Sequence, residues 1–512
     1  MSGTKRWWLL VTVAVGLLLI SVDMTVLYTA LPTLTEQLHA DASQKLWIIN
    51  AYPLVMAGLL LGAGTLGDRV GHKHMFLAGL ALFGVASSVA AFAPSAGVLI
   101  GARAFLAVGA SAMMPATLSL IRTTFEDEHE RNIAIGVWGT MSVIGTALGP
   151  ILGGLLIEHF WWGSVFLINV PVVVLALIAG AVLAPSASGR SDKPWDFIAS
   201  VQIMVGLVGL VYAVKEATKP GPDPLHIVMA LLAAAAGFTL FVHRQRRRTH
   251  PLLDFVLLRD PRILSGMVAA ALAMFATAGI QLVLTQRLQL VLDLTPLHAG
   301  LLVAAFAAGC LPSGAVAGSL VHRTGPRPLI AGGLLTGAAG VLLTLLLTPG
   351  VVPLVAVHPD HPGWIVPGLM VAGAGMGLAM TAASAAIMGN APAHRAGMAA
   401  SVEEVSYELG SLSGVAVLGS VLGALYTSTV HLPSGVPDTA QDSLDAARST
   451  AADLPADRAD PLLAAARNAF DHGYTLTLLI TAAALIAGSV FTARRLAPPA
   501  RAQVVPEKEP AA

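Results

Sequence analysis

The sequence predicts an all-α integral membrane protein, a two-half bundle with fourteen transmembrane helices. Composition is the first reason: of 512 residues, 55% are hydrophobic and 11% charged, where soluble domains carry about 25% charged residues. The mean hydropathy is +0.76. Segment length is the second, because windows of the roughly 20 apolar residues needed to cross a hydrocarbon core recur from Trp7 to Ala493. The third is an internal repeat: a Gly-rich turn bearing charged residues near position 68 returns near position 322.

In chain order the spans fall at 7–30, 45–66, 75–94, 97–121, 133–157, 163–184, 197–214, 224–243, 263–285, 297–320, 327–348, 363–388, 396–426 and 473–493. The short basic amino end, Met1 to Arg6, runs into the first span without a small-residue cleavage site, so that helix is read as retained. With the amino end inside and the spans alternating, about 21 Lys and Arg fall in cytoplasmic segments and about 7 in outer ones, which places both termini in the cytoplasm. The cluster Arg244, Arg246, Arg247 and Arg248 is the heaviest of these blocks and reads as a topology anchor rather than a nucleic-acid site.

The expected organisation is a six-helix bundle over 1–184, a linker with two extra helices over 185–262, a second six-helix bundle over 263–494 and a cytoplasmic tail over 495–512. The second bundle carries an outer loop, 429–472. Between His431 and His472 that loop holds seven Asp against three Arg, and Leu and Ala at helical spacing near Pro461 predict a small extracytoplasmic helical hairpin. Net charge is zero, and the one cysteine, Cys310, lies in an apolar run. No disulfide framework or metal cluster can be built from it.

The second span ends in Gly64-Thr-Leu-Gly-Asp68-Arg69-Val-Gly71-His72-Lys73. Its glycines allow a tight reversal, and Asp68 can accept charge-assisted hydrogen bonds from an Arg or a helix amino terminus of a neighbouring bundle, which would latch one conformation. The repeat, Gly318-Ser-Leu-Val-His322-Arg323-Thr-Gly325-Pro-Arg327, has His322 where the acid stood. In the fifth span Gly145-Thr-Ala-Leu-Gly149-Pro150-Ile-Leu-Gly153-Gly154 thins one helix face and interrupts the hydrogen-bond ladder, so the helix can bend and rock against a partner.

The run from Gly64 to Lys73 resembles the loop signature of the major facilitator superfamily, and the run from Gly145 to Gly154 resembles the signature of its drug:proton antiporters. Three more stretches resemble the fourteen-helix branch that includes exporters of quaternary ammonium compounds and methyl viologen. They are Asp23-Met-Thr-Val-Leu-Tyr-Thr-Ala-Leu-Pro32, Trp161-Trp-Gly-Ser-Val-Phe-Leu-Ile-Asn169-Val-Pro171 and Ser401-Val-Glu403-Glu404-Val-Ser-Tyr407-Glu408-Leu-Gly410. The resemblance implies a multidrug efflux antiporter in the bacterial inner membrane, driven by the proton gradient without a bound cofactor, with a monomer as the working unit. Three positions depart from the pattern. The family's Arg-x-x-Gln-Gly reads Arg103-Ala-Phe-Leu106-Ala107, and Asn50 stands where some relatives carry an acid, which narrows the cargo range.

The residues themselves support an exchange chemistry. Asp23 lies about 24 Å along the first span, and Glu403, Glu404 and Glu408 lie within the thirteenth. Each acid at mid-membrane costs about 2.5 to 3.5 kcal/mol on insertion scales, so these four need partners or an aqueous cavity. Arg103 is the one base that the spans place in the membrane. An acid able to hold either a proton or a lipophilic cation, but not both, couples the two movements. Glu404 and Glu408, four apart, share a face, while Glu403 aligns with Tyr407 on the next. Tyr52, Trp138, Met113, Met114 and Tyr407 are candidates to receive flat or quaternary cations.

Two other readings are open from the sequence. One is export of an endogenous metabolite, peptide or siderophore. An intramembrane enzyme is disfavoured, because His72, His74, His322 and His394 fall in cytoplasmic turns rather than around one centre. No Gly-rich run ends in Gly-Lys-Ser or Gly-Lys-Thr, which disfavours ATP-driven transport.

Overall fold

The structure is a computed structural model that describes residues 3–185, 196–218, 222–248, 251, 259–348, 361–390 and 396–495. Most of the 185–196 linker, the tail beyond 495 and His394 lie outside the described residues.

The chain folds into helices in the order α1 (Gly3–Gln37), α2 (Ala42–Val70), α3 (His72–Ala91), α4 (Ala96–Thr124), α5 (Glu128–His159), α6 (Ser164–Leu183), α7 (Phe197–Thr218) and α8 (Pro224–Arg247). There follow α9 (Pro261–Val291, its last turn a π-helix from Arg287), α10 (Pro296–Thr324), α11 (Pro326–Leu346), α12 (Pro362–Asn390), α13 (Ala396–Thr429), α14 (Leu444–Ala452) and α15 (Ala456–Arg495). Thirteen of these are long and apolar enough to cross a membrane. The fourteenth candidate, α2, passes as a bent span, its parts Ser43–Leu60 and Gly62–Val70 meeting at 57°.

Helix ends follow the local sequence. Asp41, Ser95, Asp127, Asp223, Asp260 and Thr295 accept backbone N–H groups at the starts of α2, α4, α5, α8, α9 and α10. The two repeated turns are single glycines with positive φ, Gly71 at 98° between α2 and α3 and Gly325 at 77° between α10 and α11. A side chain at either place would strain a reversal that has no other residue to absorb it.

Two apolar cores result. One is built mainly from α1–α6 and reaches across to α7, α8, α9 and α13, and the other from α9–α15. Between them α5 packs on α10 and α2 on α13, while α7 lies against both α2 and α13 with α8 behind it. The extra helix pair therefore covers one seam between the bundles. Both described chain ends emerge on one face, together with the Gly71 and Gly325 turns, and the opposite face carries α14. The acidic segment there is ordered differently from a loop closing at 472. Helix α15 begins at Ala456 and α14 packs against it, so the expected helical hairpin is present, with its second arm continuous with the last span.

Candidate substrate and proton site

The glycines of α5 set the spacing of the site. Gly145, Gly149 and Gly153 recur every four residues, and a Cβ at each would run into Ser21, Thr25 and Val26 of α1. One turn round, the backbone of Pro150 abuts Gly300 of α10, and Gly154 abuts Pro296 and Leu297. Each contact lets a pair of backbones approach closely where any larger side chain would hold them apart. The run thus has two partners, one within its own bundle and one across the seam.

This packing encloses Asp23, which is 0% exposed, against Arg103, 1% exposed. Arg103 donates from Nη1 to Asp23 Oδ2 at 2.5 Å and from Nε to the carbonyl of Ile48 at 3.3 Å. Its guanidinium sits 4.7 Å from the centre of the Tyr52 ring. Asn169 of α6 donates to Asp23 Oδ1 at 3.1 Å and lies 3.2 Å from Ser87 Oγ of α3. Five helices, α1, α2, α3, α4 and α6, therefore hold one ion pair. Arg103, the one base that the spans placed in the membrane, is thus engaged by Asp23, which leaves the acids of the second bundle without a direct partner from it.

Across the seam, α13 presents the other acids on two neighbouring faces, Glu403 on one and Glu404 with Glu408 on the next. Glu403 accepts a hydrogen bond from the Tyr407 hydroxyl at 3.0 Å and lies against Ser384 of α12, within its own bundle. Glu404 is half-buried beside Glu403 and Glu408. Glu408 is buried within electrostatic reach of Arg103, and its Oε2 has no protein partner. Asn50 Oδ1, the Tyr52 hydroxyl and Thr29 Oγ1 are likewise buried without one. Buried polar atoms normally find partners, and these orphans on α1, α2 and α13 mark a polar centre, referred to below as the central chamber, that a proton, water or ligand can complete.

The aromatic and Met candidates divide. Tyr52 and Tyr407 stand beside the charged groups. Trp138 is half-buried with Nε1 donating to Thr117 of α4 at 3.1 Å, and the half-buried Met114 lies one turn before Thr117, its carbonyl accepting from that hydroxyl at 2.7 Å. Met113 is 0% exposed and fills the space beside Gly16 and Gly79, a core position rather than a wall of the chamber.

At the face with the chain ends, Asp68 is exposed and its Oδ1 lies 3.4 Å from His72 Nε2 on the next helix. Arg69 is exposed, and Gly64 faces Pro115 of α4. The structure does not bring Asp68 to the other bundle. Contacts across the seam lie instead toward the α14 face: Tyr28 with Ser411, Gln289 Nε2 with the carbonyl of Thr29 at 2.9 Å, Leu46 against Gly419, and Lys45 with Asp445. The bundles are thus joined at the α14 face.

Two features escaped the sequence reading. Asn169 was noted only within the stretch Trp161 to Pro171, with no role as a partner of Asp23. Arg287 was counted outside the ninth span, yet α9 continues through it and it is 2% exposed, a second buried base. Its partners are Asp471 at 2.7 Å and the Tyr474 ring at 5.2 Å.

Comparison with known proteins places this geometry in context. Residues 13–415 match the family model described as Major Facilitator Superfamily. The chain is 38% identical over 499 residues to the multidrug efflux pump LfrA of Mycolicibacterium smegmatis, covering 96% of this chain and 97% of that protein. It is 37% identical over 482 residues to the methyl viologen resistance protein SmvA of Salmonella typhimurium, with 93% and 95% covered. The tetracenomycin C resistance and export protein of Streptomyces glaucescens is 32% identical over 509 residues, with 97% and 93% covered. Among solved structures, a bacterial homologue of the human lysosomal transporter Spinster superposes with a TM-score of 0.65 at 17% identity, covering 98% of this chain and 100% of the other.

Proposed function

Since the chain belongs to the major facilitator superfamily and its near full-length relatives include multidrug efflux pumps, we propose that it is a proton-coupled antiporter exporting lipophilic or quaternary cations by alternating access. The observation that carries this reading is the sharing of Arg103 by two acids on opposite sides of the seam. Asp23 holds the guanidinium directly, and Glu408 lies within its field.

While Asp23 is ionised, Arg103 is neutralised by it, and Glu408 with Glu404 is available to a cationic cargo. A proton arriving on Asp23 removes that neutralisation. The Arg103 charge then turns to Glu408 and competes with the cargo there, so proton and cargo displace each other. Tyr52 and Tyr407 supply ring faces to a flat or quaternary cation. The face carrying the chain ends is the cytoplasmic one in this scheme, the membrane is the bacterial inner membrane, and a single chain is the transport unit. Each proton moving inward across 100 mV contributes about 2.3 kcal/mol to expel cargo.

The test is pH-gradient-driven uptake into everted vesicles for a panel of cationic, neutral and anionic compounds, with methyl viologen among the cations. The expected result is a preference for cations that Asp23→Asn abolishes. Unchanged export by Asp23→Asn would overturn the assignment of the proton site, and a panel without cationic preference would overturn the assigned cargo.

A further inference from the structure

A cavity of about 390 Å³ lies outside the chamber just described, where the ends of α2, α7, α9 and α13 at the α14 face meet α14. Its volume is in the range of small-molecule pockets, about 300 to 1,000 Å³. Leu46, Leu282 and Gly419, where α2 and α9 close on α13, form part of its wall. It therefore lies on the same seam between the bundles as the central chamber. Ser443, Leu444 and Asp445 at the start of α14 line it too. Aromatic rings of Tyr212, Tyr426 and Phe470 stand among its mostly apolar walls. Ser420, 5% exposed on the same wall, has a hydroxyl without a protein partner.

Its charges are unequal: Glu216, Asp442 and Asp445 against Lys45 and Lys215. Lys215 reaches Ser43 Oγ, and Lys45 forms an ion pair with Asp445. That pair is mostly enclosed, with 11% of the Lys45 side chain and 20% of the Asp445 side chain exposed. Its two members belong to different moving parts. Lys45 rides on α2 of the first bundle, whereas α14 packs on α15 and is tied to the second bundle by Arg448, which pairs with Asp293, itself also held by Arg467 of α15. Any separation of the bundles at this face withdraws the ammonium group and leaves the carboxylate.

We propose that this cavity is an exit site for amphiphilic cations, in which the Asp445 carboxylate receives the cargo and Lys45 occupies the cation position while the seam is closed. The proposal rests on the cation-export reading. An organic cation passing the Leu46–Gly419 contact meets apolar and aromatic walls with a carboxylate just vacated. Reclosure returns Lys45 to Asp445 and displaces the cargo outward.

The experiment is equilibrium binding of tetraphenylphosphonium to the full chain in lipid nanodiscs, with the isosteric anion tetraphenylborate as control. It is done in a Glu404→Gln/Glu408→Gln background so that the central chamber does not contribute. Lys45→Gln uncovers the carboxylate and is expected to tighten cation binding about tenfold, whereas Asp445→Asn is expected to weaken it by at least about tenfold, a difference of roughly 1.4 kcal/mol each way. Asp445→Glu retains binding, which separates loss of the charge from loss of the fold. A purely structural latch is broken equally by Lys45→Gln and Asp445→Asn, so shifts in the same direction, or none, would overturn the proposal. Equal binding of the anion would overturn it as well. If the chain with an intact central chamber binds no tetraphenylphosphonium either, it is the cation-export reading that fails.

Discussion

Removing one member of a buried ion pair leaves the other charge desolvated, at about 3–5 kcal/mol. Arg103 and Asp23, at 1% and 0% exposure, meet that condition. Arg103→Gln alone is therefore expected to lower thermal stability markedly, because Asp23 would keep only Asn169 as a side-chain hydrogen-bond donor. The double change Asp23→Asn/Arg103→Gln removes both charges and restores most of that stability, yet transport stays lost because nothing remains to exchange the proton. Thermal unfolding in detergent beside vesicle uptake checks this. Recovery of transport in the double variant would remove Asp23 from the coupling scheme. At this scale the sequence revealed the charges but not their pairing: Asp23 and Arg103 are 80 residues apart, and no local pattern says which base reaches which acid.

At the scale of the element, small residues decide how close helices come, and the effect differs within a single helix. A Cβ at Gly149 meets Thr25 and Val26 of α1, whereas a Cβ at Gly139 meets nothing within 4 Å. Gly149→Leu is thus expected to cost roughly 1–3 kcal/mol through overpacking and to depress export. Gly139→Leu should be nearly silent in the same unfolding and uptake assays. The periodic glycines of α5 were legible because a four-residue repeat faces one way on any helix; that the next face serves α10 was not, since it depends on how the bundles dock. The extra pair α7–α8 offers a second case. Burial works to raise the Asp196 carboxyl, but hydrogen bonds from Arg244 at 2.8 Å and from the Ala199 amide, with the charge of Arg248, outweigh it and hold the group below its usual range. A lowered folded-state pKa means its stabilisation is present at neutral pH and is lost as pH falls through that value. Asp196→Asn should lose about 2 kcal/mol at neutral pH, with the difference from the unaltered chain shrinking in acid. An equal deficit at all pH values would contradict the assignment.

For the whole molecule the question is what must move. Length and charge asymmetry were enough to count the spans, because bilayer thickness and positive-inside bias act on each segment separately. Which face is closed could not be read that way, since it depends on contacts between residues as distant as Thr29 and Gln289, 260 apart. The structure joins the bundles at the α14 face while leaving Asp68 of the opposite face beside His72 of its own bundle. If transport alternates between this state and its converse, a covalent bridge across the closed seam must stop it. Thr29→Cys with Gln289→Cys, in a background where the single cysteine Cys310 is replaced by Ala, provides the anchor points. A reducible bifunctional maleimide should abolish export, and cleaving it with reductant should restore export. Bridging two cysteines within one bundle, at Arg6 and Glu130, which already meet at 2.6 Å on the face with the chain ends, should leave export largely intact because no relative motion is required there. Full activity with the Thr29–Gln289 bridge in place would show that this seam does not open during the cycle.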